Sequence, residues 1–274
     1  MSGNNIILTG IPRSGTTLTT YLLNTLPNTV ALAEPIDPYR YVEYSRKEIL
    51  NDIFNFFADS RQYILKTGQA PSCIVNGNLP YNFVSDSCDE SNKRAYQAVK
   101  GSFSIAKSLT DDFKLIIKQP NLFTGLLAQL SKTYECYAVI RNPLSVLLSW
   151  NSVSMPVSHG RAPVAEYLDS TLKARLIQKN LVYERQLILL DWYYAAYCNY
   201  LPNSQVIFYE DIIASDGKAL EVFGLNSCFM STKVISQELH REYDKSSIEF
   251  FKELLLGHDS AYWKFYSKND ITSY

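Results

Sequence analysis

Histidine is nearly missing from this chain of 274 residues, which has three, and cysteine and methionine are almost as rare, at five and three. The cysteines, Cys73, Cys88, Cys136, Cys198 and Cys228, are odd in number, widely spread and without a CxxC pair. That pattern excludes a disulfide framework and a zinc knuckle, and no cluster of metal-ligand side chains stands out elsewhere. An excess of positive charge is absent too. The formal net charge is −1, which excludes a broad nucleic-acid footprint while leaving room for a local basic pocket. No apolar run approaches the ~18–20 residues of a membrane span. The first strand is expected to begin almost at Met1, so no leader peptide is expected. The expectation is a soluble, cytoplasmic protein of a reducing compartment, without membrane or nucleic-acid partners and with self-association into a homo-oligomer left open.

What is present is a core. Hydrophobic residues make up 46% of the chain and charged residues 19%, which argues against wholesale disorder. Tyrosine dominates the aromatics, with clusters at Tyr39 to Tyr44 and Tyr193 to Tyr200. These read as half-buried helix and pocket-wall residues rather than as a stacking code for bases. No repeat, low-complexity tract or linker divides residues 1–274, so a single domain is expected.

Short apolar strands alternate with helical stretches. Ile6 to Thr9 reads as a strand, about Thr16 to Leu26 as a helix, and Val30 to Ala33 as a strand closed by Glu34-Pro35. Residues 36–110 lack strong strand signals and contain a helical stretch near Glu43 to Asp59 and a Gly/Asn/Pro-rich stretch around Gly68 to Pro80. The alternation then resumes with strands at Lys114 to Lys118, Cys136 to Ile140 and Val206 to Tyr209. Between them lie helices at Leu122 to Leu130 and Leu144 to Trp150, and a long helical region from Val164 to Tyr200. This is the pattern of an α/β protein with a central parallel sheet of about five strands flanked by helices. Ligands of such folds bind beyond the carboxyl ends of the strands, so the residues that close the strands carry the chemistry.

Gly10-Ile11-Pro12-Arg13-Ser14-Gly15-Thr16-Thr17 lies between the first strand and the first helix. Its glycine spacing matches the phosphate-binding loop GxxxxGK[ST], except that Thr16 stands where that motif has lysine. Backbone amides of such a turn, with a helix N-terminus behind them, bind an anion. Arg13 supplies the cation that the missing lysine would have given. The alternative is a tight turn whose glycines serve packing alone. Nucleotide hydrolases and kinases need the lysine, with Mg²⁺, for β- and γ-phosphates. Its absence suits a ligand with a single 5′ anion. A second constellation follows the strand ending at Ile140: Arg141-Asn142-Pro143, then Leu144 to Trp150 in helical pattern. Asn142 suits the N-cap and Pro143 the first turn. Arg141, Ser145 and Ser149 step by four and drift only about 40° per step, so one arginine and two hydroxyls are placed to face one anion. A capped helix with incidental serines is the alternative.

Ile11 to Thr17 (IPRSGTT) resembles the 5′-phosphosulfate loop of the sulfotransferases that use 3′-phosphoadenosine 5′-phosphosulfate (PAPS). The likeness is to the PRSGTT form of bacterial enzymes and tyrosylprotein sulfotransferases in particular. The resemblance implies a P-loop-like sulfotransferase fold and a PAPS co-substrate leaving as PAP. It further implies a 5′ site at Arg13, Ser14, Gly15, Thr16 and Thr17, and a 3′-phosphate site at Arg141 and Ser149. Ile116 to Pro120 resembles the family's central KxP strand end, and Val206 to Asp211 its later YED segment, whose tyrosine, here Tyr209, lies near the nucleotide. The likeness covers residues 6–34 and about 114–223 and is weak over 36–110, the expected acceptor-specificity insertion. Gly257 to Lys264 matches only loosely the loop that covers the nucleotide in the family.

Many members use a histidine just after the central lysine, but Lys118 is followed here by Gln119-Pro120-Asn121. His159, His240 and His258 fall in poorly matched regions and read as surface or loop residues. Glu34 closes the second strand 21 residues after Arg13, a spacing that resembles the base glutamate of tyrosylprotein sulfotransferases. A carboxylate serves as base where partial burial raises its pKa. The expected catalytic set is therefore Glu34 as base, with Lys118 and Arg13 stabilising the leaving phosphate and no metal. The alternative role for Glu34 is pairing with Arg13 or Lys118 to order the pocket. Asp37, Tyr39, Tyr41, Glu43 and Tyr44 follow Glu34 and would suit a compact cationic or polyhydroxy acceptor, unless they form an ordinary amphipathic helix. A small-molecule, natural-product acceptor is expected. The competing functions are a P-loop small-molecule kinase and a non-catalytic nucleotide-binding module.

Overall fold

The computed structural model describes residues 4–90, 92–224 and 243–274. Five strands form one parallel sheet in the order β2-β7-β1-β8-β9. They are β1 (Asn5–Gly10), β2 (Thr29–Ala33), β7 (Lys114–Lys118), β8 (Glu135–Ile140) and β9 (Val206–Phe208). Side chains alternate between the two faces of a strand, and here both faces are apolar. Ile7, Leu32, Ile117 and Ala138 face one core, and Ile6, Leu8, Ala31, Ile116 and Val139 face a second. Helix α1 (Thr16–Leu23) covers the second core with α9 (Tyr209–Ala214). The larger core is closed by α2 (Arg46–Thr67), the short helices α3 (Pro120–Gly125) and α4 (Leu127–Leu130), and α5 (Pro143–Asn151). Helices α6 (Pro163–Leu168), α7 (Ser170–Ile177), α8 (Val182–Tyr200), α10 (Lys245–Leu256) and α11 (Lys268–Thr272) complete it. The α/β class and the five-stranded parallel sheet expected from the alternation are what the chain adopts.

Three expectations need correction. Helix α2 runs from 46 to 67 rather than stopping near 59. Ser45 and Glu48 form a reciprocal capping box at its start, Ile49, Ile53, Phe57 and Ile64 keep the buried stripe going, and no breaker appears before Gly68, whose φ of +66° ends it. Residues 36–110 contain strands after all: β3 (Gln69–Ile74) pairs antiparallel with β6 (Val99–Ser104), and β4 (Val84–Cys88) with β5 (Arg94–Tyr96). These strands are short, and their Gln, Ser, Pro, Asp and Lys content hides any period. Pro71 is tolerated because each sheet has only two strands, both of them edges. Finally, β9 ends at Phe208, and Tyr209 opens α9 instead of closing the strand.

No helix among the described residues is long and apolar enough to cross a membrane. Cys73, Cys88, Cys136 and Cys198 are free thiols, while Cys228 and His240 lie outside the described residues.

Candidate functional site

The chain leaves β1 for the β2/β7 side of the sheet and later returns to β8 on the other side, so the strand order reverses between β1 and β8. A crevice opens at such a switch point, beyond the carboxyl ends. The turns after β1 and β8 meet there. At Gly10, φ is +151°, and a Cβ would overlap the Val139 carbonyl of β8 and the Thr16 side chain. Gly15, at φ +91°, is the N-cap of α1, with no side chain capping the helix. The first-turn amides of α1 are therefore of the kind that a helix leaves for an outside acceptor.

Arg13 sits in this turn with φ +73°, a left-handed conformation unusual for a side chain with a Cβ. Its Nε donates to Ser149 Oγ at 3.3 Å, and a terminal nitrogen donates to Asn82 Oδ1 at 3.0 Å. Its carbonyl accepts from Arg141 at 3.1 Å. The two arginines and Ser149 are thus joined across the β1 and β8 turns. Arg141 also lies over the Tyr209 ring, 4.4 Å from its centroid, and the same ring fills the space where a Gly15 Cβ would go. Tyr209 therefore packs beneath the loop and the arginine together. Asn142 caps α5 as its sequence position predicted, its Oδ1 accepting from Leu144 N at 2.9 Å.

Ser14 turns both of its donors into the protein. Its hydroxyl donates to the Val139 carbonyl at 2.7 Å and its amide to the Ile11 carbonyl at 3.0 Å. Both donors hold the turn in shape, which leaves Gly15, Thr16 and Thr17 for a ligand.

Lys118 ends β7 only 1% exposed. A buried ammonium needs partners, and it has three: Glu34 Oε1 at 2.6 Å, Thr17 Oγ1 at 3.2 Å, and the Phe83 ring, whose centroid is 4.6 Å away. The lysine that the loop lacks at position 16 therefore arrives from a neighbouring strand. Glu34 meets it because β2 and β7 are parallel neighbours with Ala33 opposite Lys118, and the Glu34 amide donates to the Lys118 carbonyl at 2.7 Å. The pairing role considered for Glu34 is realised with Lys118. Like Arg13, Glu34 is left-handed, with φ +50°.

A cavity of about 400 Å³ opens beside this pair. Arg13, Thr16, Thr17, Glu34 and Lys118 line one part of it; Pro38, Tyr39, Phe83, Tyr96, Met155 and Val164 are among the rest of its wall. Of Asp37, Tyr39, Tyr41, Glu43 and Tyr44, only Asp37 and Tyr39 line the cavity. Tyr41 is instead buried, with its hydroxyl on Asp52 at 2.5 Å, and Tyr44 packs edge-on against it. Glu43 is exposed and is not part of the wall. Sequence reasoning missed Asn82, Phe83, Tyr96 and Lys100, all on the irregular segment whose strands it did not foresee. Burial pushes the Tyr96 phenol upward, with the nearby Glu34 charge and Cys73 adding to it. No periodic signal marks these residues.

His159 ends a short turn and His258 lies against Tyr262, both outside the cavity wall. The segment after α10 packs on the protein through Ser260 Oγ and Ala261 N, which donate to Asp191, and through the buried Tyr262; Lys264 is exposed. No group of three or more His, Cys, Asp or Glu side chains among the described residues is placed to hold a metal ion. Three cations, Arg13, Lys118 and Arg141, lie in or beside the loop, an arrangement chemically suited to an anion.

No family model matches the chain, and no curated protein matches it. Among solved structures it resembles a sulfotransferase from Alicyclobacillus acidocaldarius, with a TM-score of 0.43 at 12% identity over 96% of this chain and 99% of that one. It also resembles a sulfotransferase from Mycobacterium tuberculosis, with a TM-score of 0.38 at 14% identity over 94% of this chain and 78% of that one. Both likenesses are distant.

Proposed function

We propose that the protein transfers the sulfuryl group of PAPS to a hydroxyl or amine of a small-molecule, natural-product acceptor and releases PAP, acting in the cytoplasm. The observation that carries this reading is the Glu34–Lys118 pair, 2.6 Å apart, standing beside a phosphate-type loop whose own lysine is replaced by Thr16. An acid–base pair at an anion loop suits attack by a protonated nucleophile on a group already carrying its leaving phosphate.

In this reading Gly15, Thr16 and Thr17 with Arg13 bind the 5′ end, Arg141 and Ser149 bind the 3′-phosphate, and Tyr209 supports both from beneath. PAPS supplies an activated S–O bond. Glu34 removes the proton from the acceptor as its oxygen or nitrogen bonds to sulfur. The electron pair of the broken S–O bond stays on the bridging oxygen of PAP, where Lys118 and Arg13 offset the growing charge. Two of the three Lys118 N–H groups are committed to Glu34 and Thr17, leaving one for that oxygen. These groups do the work without a metal. The acceptor occupies the cavity between Tyr39, Phe83, Tyr96 and Met155.

Melting curves with PAP, 5′-AMP and ATP, each in EDTA and in Mg²⁺, test the donor. Ligand at about 100 times its Kd adds roughly 2.7 kcal/mol. PAP is expected to raise Tm without metal. A shift with Mg-ATP and none with PAP would contradict the proposal and favour a kinase. PAP binding with no label transferred from sulfur-labelled PAPS to any of a panel of alcohols, phenols and amines would favour the non-catalytic module.

A further inference from the structure

Glu34 holds a left-handed backbone conformation, φ +50°, that is strained for a residue with a side chain, and something must keep it there. Its amide is tied to the Lys118 carbonyl at 2.7 Å. Its carbonyl is held from the other side by two residues of the small β3/β6 sheet. Lys100 Nζ donates to the Glu34 carbonyl and, at 2.8 Å, to the Ile36 carbonyl, so one ammonium spans the turn that follows β2. Cys73 Sγ donates to the same Glu34 carbonyl at 3.4 Å. Cys73 and Lys100 are direct cross-strand partners in the β3/β6 register. At the next position Gly101 lets the strands close up, since a Cβ there would overlap the Ile74 side chain. Ser72 ties the sheet on in the same place, donating to the Ala33 carbonyl at 3.2 Å and accepting from the Ala33 amide at 2.9 Å.

We infer that Lys100 is a positioning residue for Glu34: it clamps the left-handed Glu34 peptide so that the carboxylate meets Lys118 at the cavity. A charged donor on two carbonyls is a strong hydrogen-bonding partner, and an ammonium on a flexible stem can bridge them where a neutral side chain of that length cannot. Residues 69–104 then serve the base itself as well as the acceptor wall. The catalytic consequence rests on the sulfotransferase reading; the geometric claim does not.

Crystal structures of the wild type, Lys100→Met and Lys100→Arg test the geometry. In Lys100→Met, Glu34 is expected to leave the positive-φ region and to separate from Lys118. Lys100→Arg, which keeps charge and donors, is expected to restore both. Turnover with any acceptor found for the wild type is expected to fall about a hundredfold in Lys100→Met, the size of loss that follows a misplacement of about 1 Å. PAP affinity is expected to stay unchanged, and Lys100→Arg to recover the rate. A Lys100→Met protein with Glu34 still at positive φ and paired with Lys118 would overturn the inference. So would equal loss of rate in Met and Arg variants at unchanged geometry. A wild type that binds no PAP while Lys100→Met still displaces Glu34 would instead sink the sulfotransferase reading and leave the positioning role standing.

Discussion

The parallel sheet and the segment from 69 to 104 contribute to the same site by different physics. β1, β2, β7 and β8 bring Gly10, Glu34, Lys118 and Arg141 to one end of the sheet by register: strands buried on both faces end together, and their last residues converge. The segment from 69 to 104 places Asn82, Phe83, Cys73 and Lys100 by individual contacts to Arg13, Lys118 and the Glu34 carbonyl. In the proposed reaction the first set supplies the glutamate and lysine that would react, and the second fixes their orientation. Side chains set at the ends of a rigid sheet thus still meet a less regular segment that bears on their final geometry.

Substitutions can break or sharpen that contrast. The largest effect is expected from Glu34→Gln, which keeps size and removes the base: turnover should fall by about three orders of magnitude with PAP affinity unchanged, read in a PAPS-dependent assay. Lys118→Met should cost a few hundredfold in turnover, within the ~10²–10³ range for one electrostatic stabiliser, and should also release Glu34. In the small-sheet segment, Phe83→Leu removes a ring that contributes roughly 1 kcal/mol to a cation held against it. It should lower turnover about fivefold, with a small loss of stability in urea melts. A Phe83→Leu effect as large as that of Glu34→Gln would erase the distinction between reacting and orienting groups. Ser45→Ala, at the α2 cap far from the cavity, should cost about 1 kcal/mol of stability and leave turnover untouched.

The smallest effect concerns Glu210. Its carboxylate accepts from Asn142 N at 2.8 Å and from the Tyr266 hydroxyl at 3.0 Å, which ties the C-terminal segment to the turn bearing Arg141. The residue as a whole is exposed, but desolvation of its carboxylate end raises its pKa above the usual 4.5, and with solvent still close the effect is small. A carboxyl raised in the folded state binds its proton more readily there than in the unfolded chain. Its contribution to stability is therefore full below pH 4.5 and lost as pH rises through the folded value. Urea melts of the wild type should show this decline relative to Glu210→Gln, which cannot titrate.

The sequence-level reading of the sheet succeeded because Ile6-Ile7-Leu8, Val30 to Ala33 and Leu115 to Ile117 are unbroken apolar runs between helical patterns, and a buried parallel strand has no other signature. Glu34, Lys118 and Arg141 were legible as polar residues closing those runs. That the two donors of Ser14 are spent on the turn was not legible, because a motif specifies a turn without saying which of its donors the turn consumes. Tyr209 was placed on a strand because β9 and α9 join without a breaker. Lys100 and Asn82 left no trace: Lys100 lies on β6, a strand of mixed Lys, Gly and Ser character that reaches the site only through its register with β3, and Asn82 lies in the irregular stretch just before β4, where its contact to Arg13 has no sequence signal.

The most direct test of the donor site is calorimetric titration of PAP and of 5′-AMP, in EDTA, into the wild type and Arg141→Ala. The account predicts that PAP binds the wild type tens of times more tightly than 5′-AMP, an advantage of about 2 kcal/mol for a charge-assisted 3′-phosphate contact, and that the advantage collapses in Arg141→Ala. Equal affinity for PAP and 5′-AMP in the wild type, or an advantage that survives the loss of Arg141, would contradict it.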